Sequence, residues 1–182
     1  MNEHEVRIRM ADGIDLAARL YLPDPGLGPQ PCLLEALPYR KDDLTSSYAE
    51  SYVALCETYD YAVCRVDVRG TGSSGGDATD EYPEAEQSDL AEVIAWLAAQ
   101  DWCDGNVGMW GTSYSGFNSL QLAVERPPAL KAICAIYATD DRWTDDVHWR
   151  GGALRLVDLV DYCHYMTPMN VLPPVPAVWG EG

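Results

Sequence analysis

The sequence predicts an α/β fold, a mostly parallel sheet with helices on both faces, and three observations carry that prediction. Strand-like apolar runs alternate with stretches of helical period through most of the chain. The first two strands instead alternate apolar and polar residues around a short turn, which marks an antiparallel hairpin at one edge of the sheet. Glycine-rich turns follow two of the apolar strands, and in open α/β sheets sites form at the carboxyl ends of strands.

Residues 5–10, "EVRIRM", and 14–22, "IDLAARLYL", flank the turn "ADG" and make the hairpin. "CLLEAL" at 32–37 and "YAVCRVDV" at 61–68 are denser in apolar residues, as strands covered on both faces must be. Between them Tyr48, Tyr52, Leu55, Cys56 and Tyr59 recur at helical spacing. Pro83 then starts a second helix, in which Leu90, Val93, Ile94 and Leu97 form one apolar stripe and Glu84 and Glu86 sit near the positive end of the dipole. "VGMW" belongs to a strand of about five residues that ends at Gly111. A third helix runs from about Tyr114 to Glu125 and is stopped by Pro127 and Pro128, after which "LKAICAIYA" is the last strand of the alternation.

With 182 residues the chain reads as one domain with room for a substantial core. Its net charge of -17, with no cluster of Lys or Arg to offset it, argues against nucleic acid and anionic membranes as partners. "MNEHEVRIRM" has no apolar leader and no apolar run reaches the length of a spanning helix, so the expected protein is cytoplasmic. Cys32, Cys56, Cys64, Cys103, Cys134 and Cys163 are scattered without a CxxC pair, and only His4, His148 and His164 could join them. Buried thiols are expected in place of a metal centre, and no cofactor is expected.

Two glycine-rich serine turns compete for a chemical role. "RGTGSSGG" contains GxSxG centred on Ser74 and GxGxxG from Gly70 to Gly75. Asp77, Asp80 and Glu81 follow before any helix begins, so the loop neither opens into a helix N-terminus nor suits a phosphate. It reads as a structural loop pinned by Asp67 and Arg69. "GTSYSG", Gly111 to Gly116, places Ser113 directly between strand and helix, which forces the side chain out at the sheet edge beside backbone N–H groups and positive potential. Ser113 is then either a nucleophile or the N-cap of an ordinary helix.

"WCDGNVGMWGTSYSGF", preceded by "DVRGTGSSGG" and "PYRK", resembles the CocE/NonD hydrolases of the Xaa-Pro dipeptidyl-peptidase-like group, over about residues 6 to 155. Their nucleophile turn reads GxSYxG, which accommodates Ser115. The resemblance implies an α/β-hydrolase fold and a serine hydrolase acting on a small-molecule ester or amide through an acyl-enzyme. It implies Ser113 as nucleophile, with the Tyr114 backbone N–H and the Tyr39 phenol as the oxyanion hole. Residues 1–139 then correspond to the N-terminal part of the core, and 140–182 to the start of a truncated helical cap. Within that cap Trp143, Trp149 and a helix near Leu154 to Tyr162 are expected to cover the pocket.

In that family the acid and base follow the cap, so the resemblance implies a fold incomplete at the C-terminus, with both residues missing from this chain. The last strand would be an open edge prone to self-association. Asp140 or Asp141 with His148 or His164 would satisfy the order Ser, Asp, His, whereas His4 is expected to precede the first strand. Two alternatives accompany this reading: a truncated, inactive fragment that acts only by binding, and a Xaa-Pro dipeptidyl-peptidase-type peptidase.

Overall fold

A computed structural model describes residues 1–176. Its frame is a six-stranded sheet in the order β1-β2-β4-β3-β5-β6, formed by β1 (Asn2–Arg9), β2 (Asp15–Leu22), β3 (Gln30–Leu37), β4 (Ala62–Asp67), β5 (Cys103–Thr112) and β6 (Leu130–Ile136). The hairpin stands where the alternation placed it: β1 pairs antiparallel with β2 from Asn2↔Leu22 to Arg9↔Asp15. β2 also pairs antiparallel with β4, and every pairing from β4 to β6 is parallel. His4 lies within β1 and not before it, because the strand starts three residues earlier than the alternation suggested.

Helices cover both faces. On one side α1 (Ala49–Tyr59) packs Tyr52 and Cys56 against Tyr21 and Val63, with Leu33 and Trp110 partly buried beside them. On the other, α2 (Glu84–Ala98) and α3 (Tyr114–Glu125) cover Leu34, Cys64 and Met109. Neighbouring residues such as Val63 and Cys64 therefore enter different clusters, which is why these strands read as continuous apolar runs. Leu90, Val93, Ile94 and Leu97 are all buried, each contributing about 1.5–3 kcal/mol. Tyr48 and Tyr59, expected on the same stripe as Tyr52, are exposed at the ends of α1.

Beyond β6 come a two-stranded ribbon, β7 (Trp149–Arg150) with β8 (Ala153–Leu154), and α4 (Leu156–Val171). α4 extends past the predicted end at Tyr162 and carries Pro168 within it. Its C-terminal end is tied to the core by Arg40, whose guanidinium donates to the carbonyls of Met169, Leu172 and Pro173.

Four of the six cysteines are buried as expected, whereas Cys134 and Cys163 are exposed. Cys134 is exposed because β6 is an edge strand that, among the described residues, pairs only with β5, so its apolar sequence is not covered as a central strand would be. Among the described residues no helix is long and apolar enough to cross a membrane, and no group of His, Cys, Asp or Glu has the arrangement of a metal site.

Candidate active site

Ser113 occupies the junction between β5 and α3 with φ 58° and ψ -116°, a conformation that costs a residue with a Cβ about 1–3 kcal/mol. Its hydroxyl makes no capping bond to the helix, so the N-cap reading does not describe its geometry. The turn is fixed from several directions. The Ser113 N–H donates to the Ile136 carbonyl at 2.8 Å, and the Ser113 carbonyl accepts the first α3 bond from the Phe117 N–H at 2.9 Å. Glycine is required on both sides, since a Cβ at Gly111 would lie 2.0 Å from the Ser115 Cβ and one at Gly116 would lie 2.9 Å from the Ile136 carbonyl. Ser115 fits in the interior of this crossing with its own Cβ and is 2% exposed.

Tyr114, the first residue of α3, has an amide that by position lacks an intrahelical acceptor. Tyr39 follows β3, and its ring meets that of Tyr114 edge-on at 6.1 Å. Burial raises the Tyr39 pKa, so the phenol keeps its proton at neutral pH, and it faces the hydroxyls of Tyr162 and Ser113. The loop behind Tyr39 is held by Asp67, whose two carboxylate oxygens accept from the N–H groups of Lys41 at 2.8 Å and Ser73 at 3.0 Å. Burial pushes the Asp67 carboxyl up to about 6.

Two cavities meet at Ser113. The larger, about 630 Å³, extends from Ser113 and Tyr39 past Leu37, Tyr52 and Trp110. The smaller, about 330 Å³, runs from the same pair toward Glu81, His148, Asp158 and Asp161. Tyr162 and Tyr165 of α4 border both. Trp143 and Trp149, expected over the pocket, instead stack on each other at 6.3 Å, Trp149 on the ribbon and Trp143 in the turn before it, and both are exposed. This region covers the two cavities with Tyr162 and Tyr165 of α4, joined at the smaller one by His148, Asp158 and Asp161.

The Ser74 turn is structural. Its hydroxyl donates to the Asp67 carbonyl at 2.5 Å and accepts from the Ala17 N–H at 2.8 Å, stapling the loop to β2 and β4. Arg69 grips both carboxylate oxygens of Asp89, at 2.7 and 2.6 Å, as the pinning role required.

The order Ser, Asp, His does not assemble from Asp140 or Asp141. Asp141 instead accepts from the Trp143 and Thr144 amides and the Thr144 hydroxyl, which makes it a turn cap. His148 is 7% exposed and its Nε2 lies 3.5 Å from Glu81, a partner the sequence reading did not consider, while His164 is exposed on α4. Glu86 lies in the first turn of α2, near the positive end of the dipole, as the sequence indicates. It is also 3% exposed, because its position four before Leu90 puts it on the buried stripe.

A strained serine between strand and helix, at the carboxyl edge of a parallel sheet, defines an α/β-hydrolase. Residues 12–172 match the X-Pro dipeptidyl-peptidase (S15 family), and the chain belongs to that family. It is 37% identical over 158 residues to the cocaine esterase of Rhodococcus sp. (strain MB1 Bresler), covering 86% of this chain and 27% of that protein. Among solved structures it is similar to an α-amino acid ester hydrolase at 30% identity and a TM-score of 0.70, covering 86% of this chain and 28% of the other. It also shares the fold of a CocE/NonD family hydrolase from Staphylococcus aureus, with a TM-score of 0.74 at 23% identity, over 95% of this chain and 34% of the other. The chain thus spans about a third or less of the length of each of these relatives.

Proposed function

We propose that the chain carries the nucleophile and the oxyanion-binding half of a serine hydrolase of the CocE/NonD type, which transfers an acyl group from an ester or amide to water. Ser113 attacks the carbonyl carbon, the carbonyl oxygen gains the electron pair, and the Tyr114 amide and the Tyr39 phenol donate to it. The strained turn at Ser113 is the observation that carries this reading. No capping or core-packing role needs a φ of 58° at a serine, whereas a nucleophile presented over a helix N-terminus does. The reading places the acid and base outside the 182 residues. Family membership supports ester and amide chemistry, and the similarity to a cocaine esterase and to an α-amino acid ester hydrolase favours esters over X-Pro peptides.

Hydrolysis of p-nitrophenyl acyl esters by the chain combined with the segment that supplies the acid and base tests the assignment. Ser113→Ala is expected to abolish turnover, and Tyr39→Phe to lower kcat about 10²-fold to 10³-fold, as the loss of one oxyanion donor does. Undiminished turnover in Tyr39→Phe would remove the phenol from the oxyanion hole.

A further inference from the structure

The residue after Tyr39 ties the loop of that phenol to the helix that lines the pocket. Arg40 is 3% exposed and stands at φ 62°, in the left-handed region that a residue with a Cβ rarely occupies. In an extended segment successive side chains point to opposite sides. The left-handed turn at Arg40 breaks that alternation, so that both residues reach α4, Tyr39 at Tyr162 and Arg40 at the C-terminal end of the helix. On its other side the turn is fixed to the sheet. The Arg40 carbonyl accepts from the Thr45 N–H at 3.2 Å, and the next amide, that of Lys41, donates at 2.8 Å to Asp67 at the end of β4.

All five guanidinium N–H groups of Arg40 are used. Nε and Nη2 donate to the Asp43 carboxylate at 3.0 and 2.9 Å, which fixes the plane of the fork. Nη2 also donates to the Pro173 carbonyl at 2.7 Å, and Nη1 to the carbonyls of Leu172 at 3.0 Å and Met169 at 3.4 Å. Met169 and Leu172 belong to the last turn of α4, where carbonyls lack an intrahelical donor and carry the negative end of the dipole. A buried cation with planar, forked donors is therefore matched to that end of the helix. The rest of α4 is held lightly. Met169 is its one buried residue among the described residues, while Leu156, Val157 and Val171 are exposed. Tyr165 and Tyr162, which border both cavities at Ser113, lie four and seven residues before Met169 and so on the same helix face. A shift at the anchored end reaches them within about two helical turns.

We propose that Arg40 is a positioning residue for the Ser113 site: its guanidinium sets α4 against the Tyr39 loop, so that the Tyr39 phenol and the tyrosines of the pocket wall keep one register around the serine. Without it the helix end is released, and Tyr39 loses the constraint that aims its proton at the oxyanion. The proposal rests on the reading of Ser113 as nucleophile and of the Tyr39 phenol as oxyanion donor.

Two readouts test it separately. Amide hydrogen exchange in α4 is expected to be about tenfold faster or more in Arg40→Gln than in the unaltered protein, with exchange in β3, β4 and β5 unchanged. Turnover of p-nitrophenyl esters by the chain combined with the segment that supplies the acid and base gives the second. Arg40→Gln is expected to lower kcat about tenfold when Tyr39 is present and less than about threefold in the Tyr39→Phe background. A purely structural role would lower kcat equally in both. Arg40→Lys keeps the charge without the fork, is expected to fall between the two in each measurement, and carries the comparison where Arg40→Gln does not fold. Unchanged exchange in α4, or a kcat loss as large in Tyr39→Phe as with Tyr39 present, overturns the proposal. If the unaltered protein neither turns over ester nor labels at Ser113 with a fluorophosphonate, the nucleophile reading fails and the positioning role falls with it, while the tie between Arg40 and α4 stands on the exchange rates.

Discussion

Replacing Ser113 with glycine should make the protein more stable while removing its proposed nucleophile. At φ 58° and ψ -116° the serine holds a conformation open to glycine and costly for any residue with a Cβ, by about 1–3 kcal/mol. Glycine also raises the entropy of the unfolded chain, which takes back about 0.4–1 kcal/mol. The expected net gain is about 1–2 kcal/mol, or roughly 3–6 °C in Tm for a chain of this size. Ser113→Ala keeps the Cβ and hence the strain, and the hydroxyl it removes makes no capping bond, so alanine should lie within about 0.5 kcal/mol of wild type. Urea unfolding of the three proteins, compared through their midpoints at constant m, measures the difference. If Ser113→Gly were no more stable than Ser113→Ala, the turn would not be strained and the main structural argument for a nucleophile would be lost.

Other substitutions separate supporting residues from reacting ones. Ser74→Ala loses two hydrogen bonds and should cost about 1–2 kcal/mol in denaturant unfolding while fluorophosphonate labelling at Ser113 continues. Asp67→Asn sets an amide N–H against one of the two backbone N–H groups the carboxylate now receives, and should cost about 1–3 kcal/mol by the same measurement. Glu86 has a folded-state pKa raised from 4.5 to about 7, so its contribution to stability is fully present below about pH 4.5 and is lost as pH rises through 7. Glu86→Gln should remove a loss on the order of 3 kcal/mol from thermal melts compared between about pH 5 and pH 8. Among the described residues β6 is paired on one side only, and we expect the isolated chain to self-associate through it; a single monomeric species at all concentrations in sedimentation velocity would contradict that.

Periodicity is what made the frame legible. The hairpin, the two-faced strands and the stripe from Leu90 to Leu97 each follow from which positions must be apolar, and burial in the folded chain matches them. Context then distinguished Ser113 from Ser74, since only a serine between strand and helix is forced into the strained turn, whatever the local glycine pattern. Polar contacts between distant segments were not legible in the same way. Nothing local marks Glu81 as the partner of His148, or Tyr162 as a wall of the pocket, because those meetings depend on how the segment after β6 folds back over the sheet edge. Glu86 is an intermediate case. Its place near the helix N-terminus was legible, but its burial was not, because the phenol of Tyr114 that bonds it lies 28 residues away.

The claim that Ser113 is a nucleophile is tested most directly by reaction with a fluorophosphonate followed by peptide mapping of the adduct. The account predicts one covalent adduct, on the peptide containing Gly111 to Gly116, localised to Ser113 and absent in Ser113→Ala. Labelling that persists in Ser113→Ala, or that maps to the Ser74 loop, would contradict it.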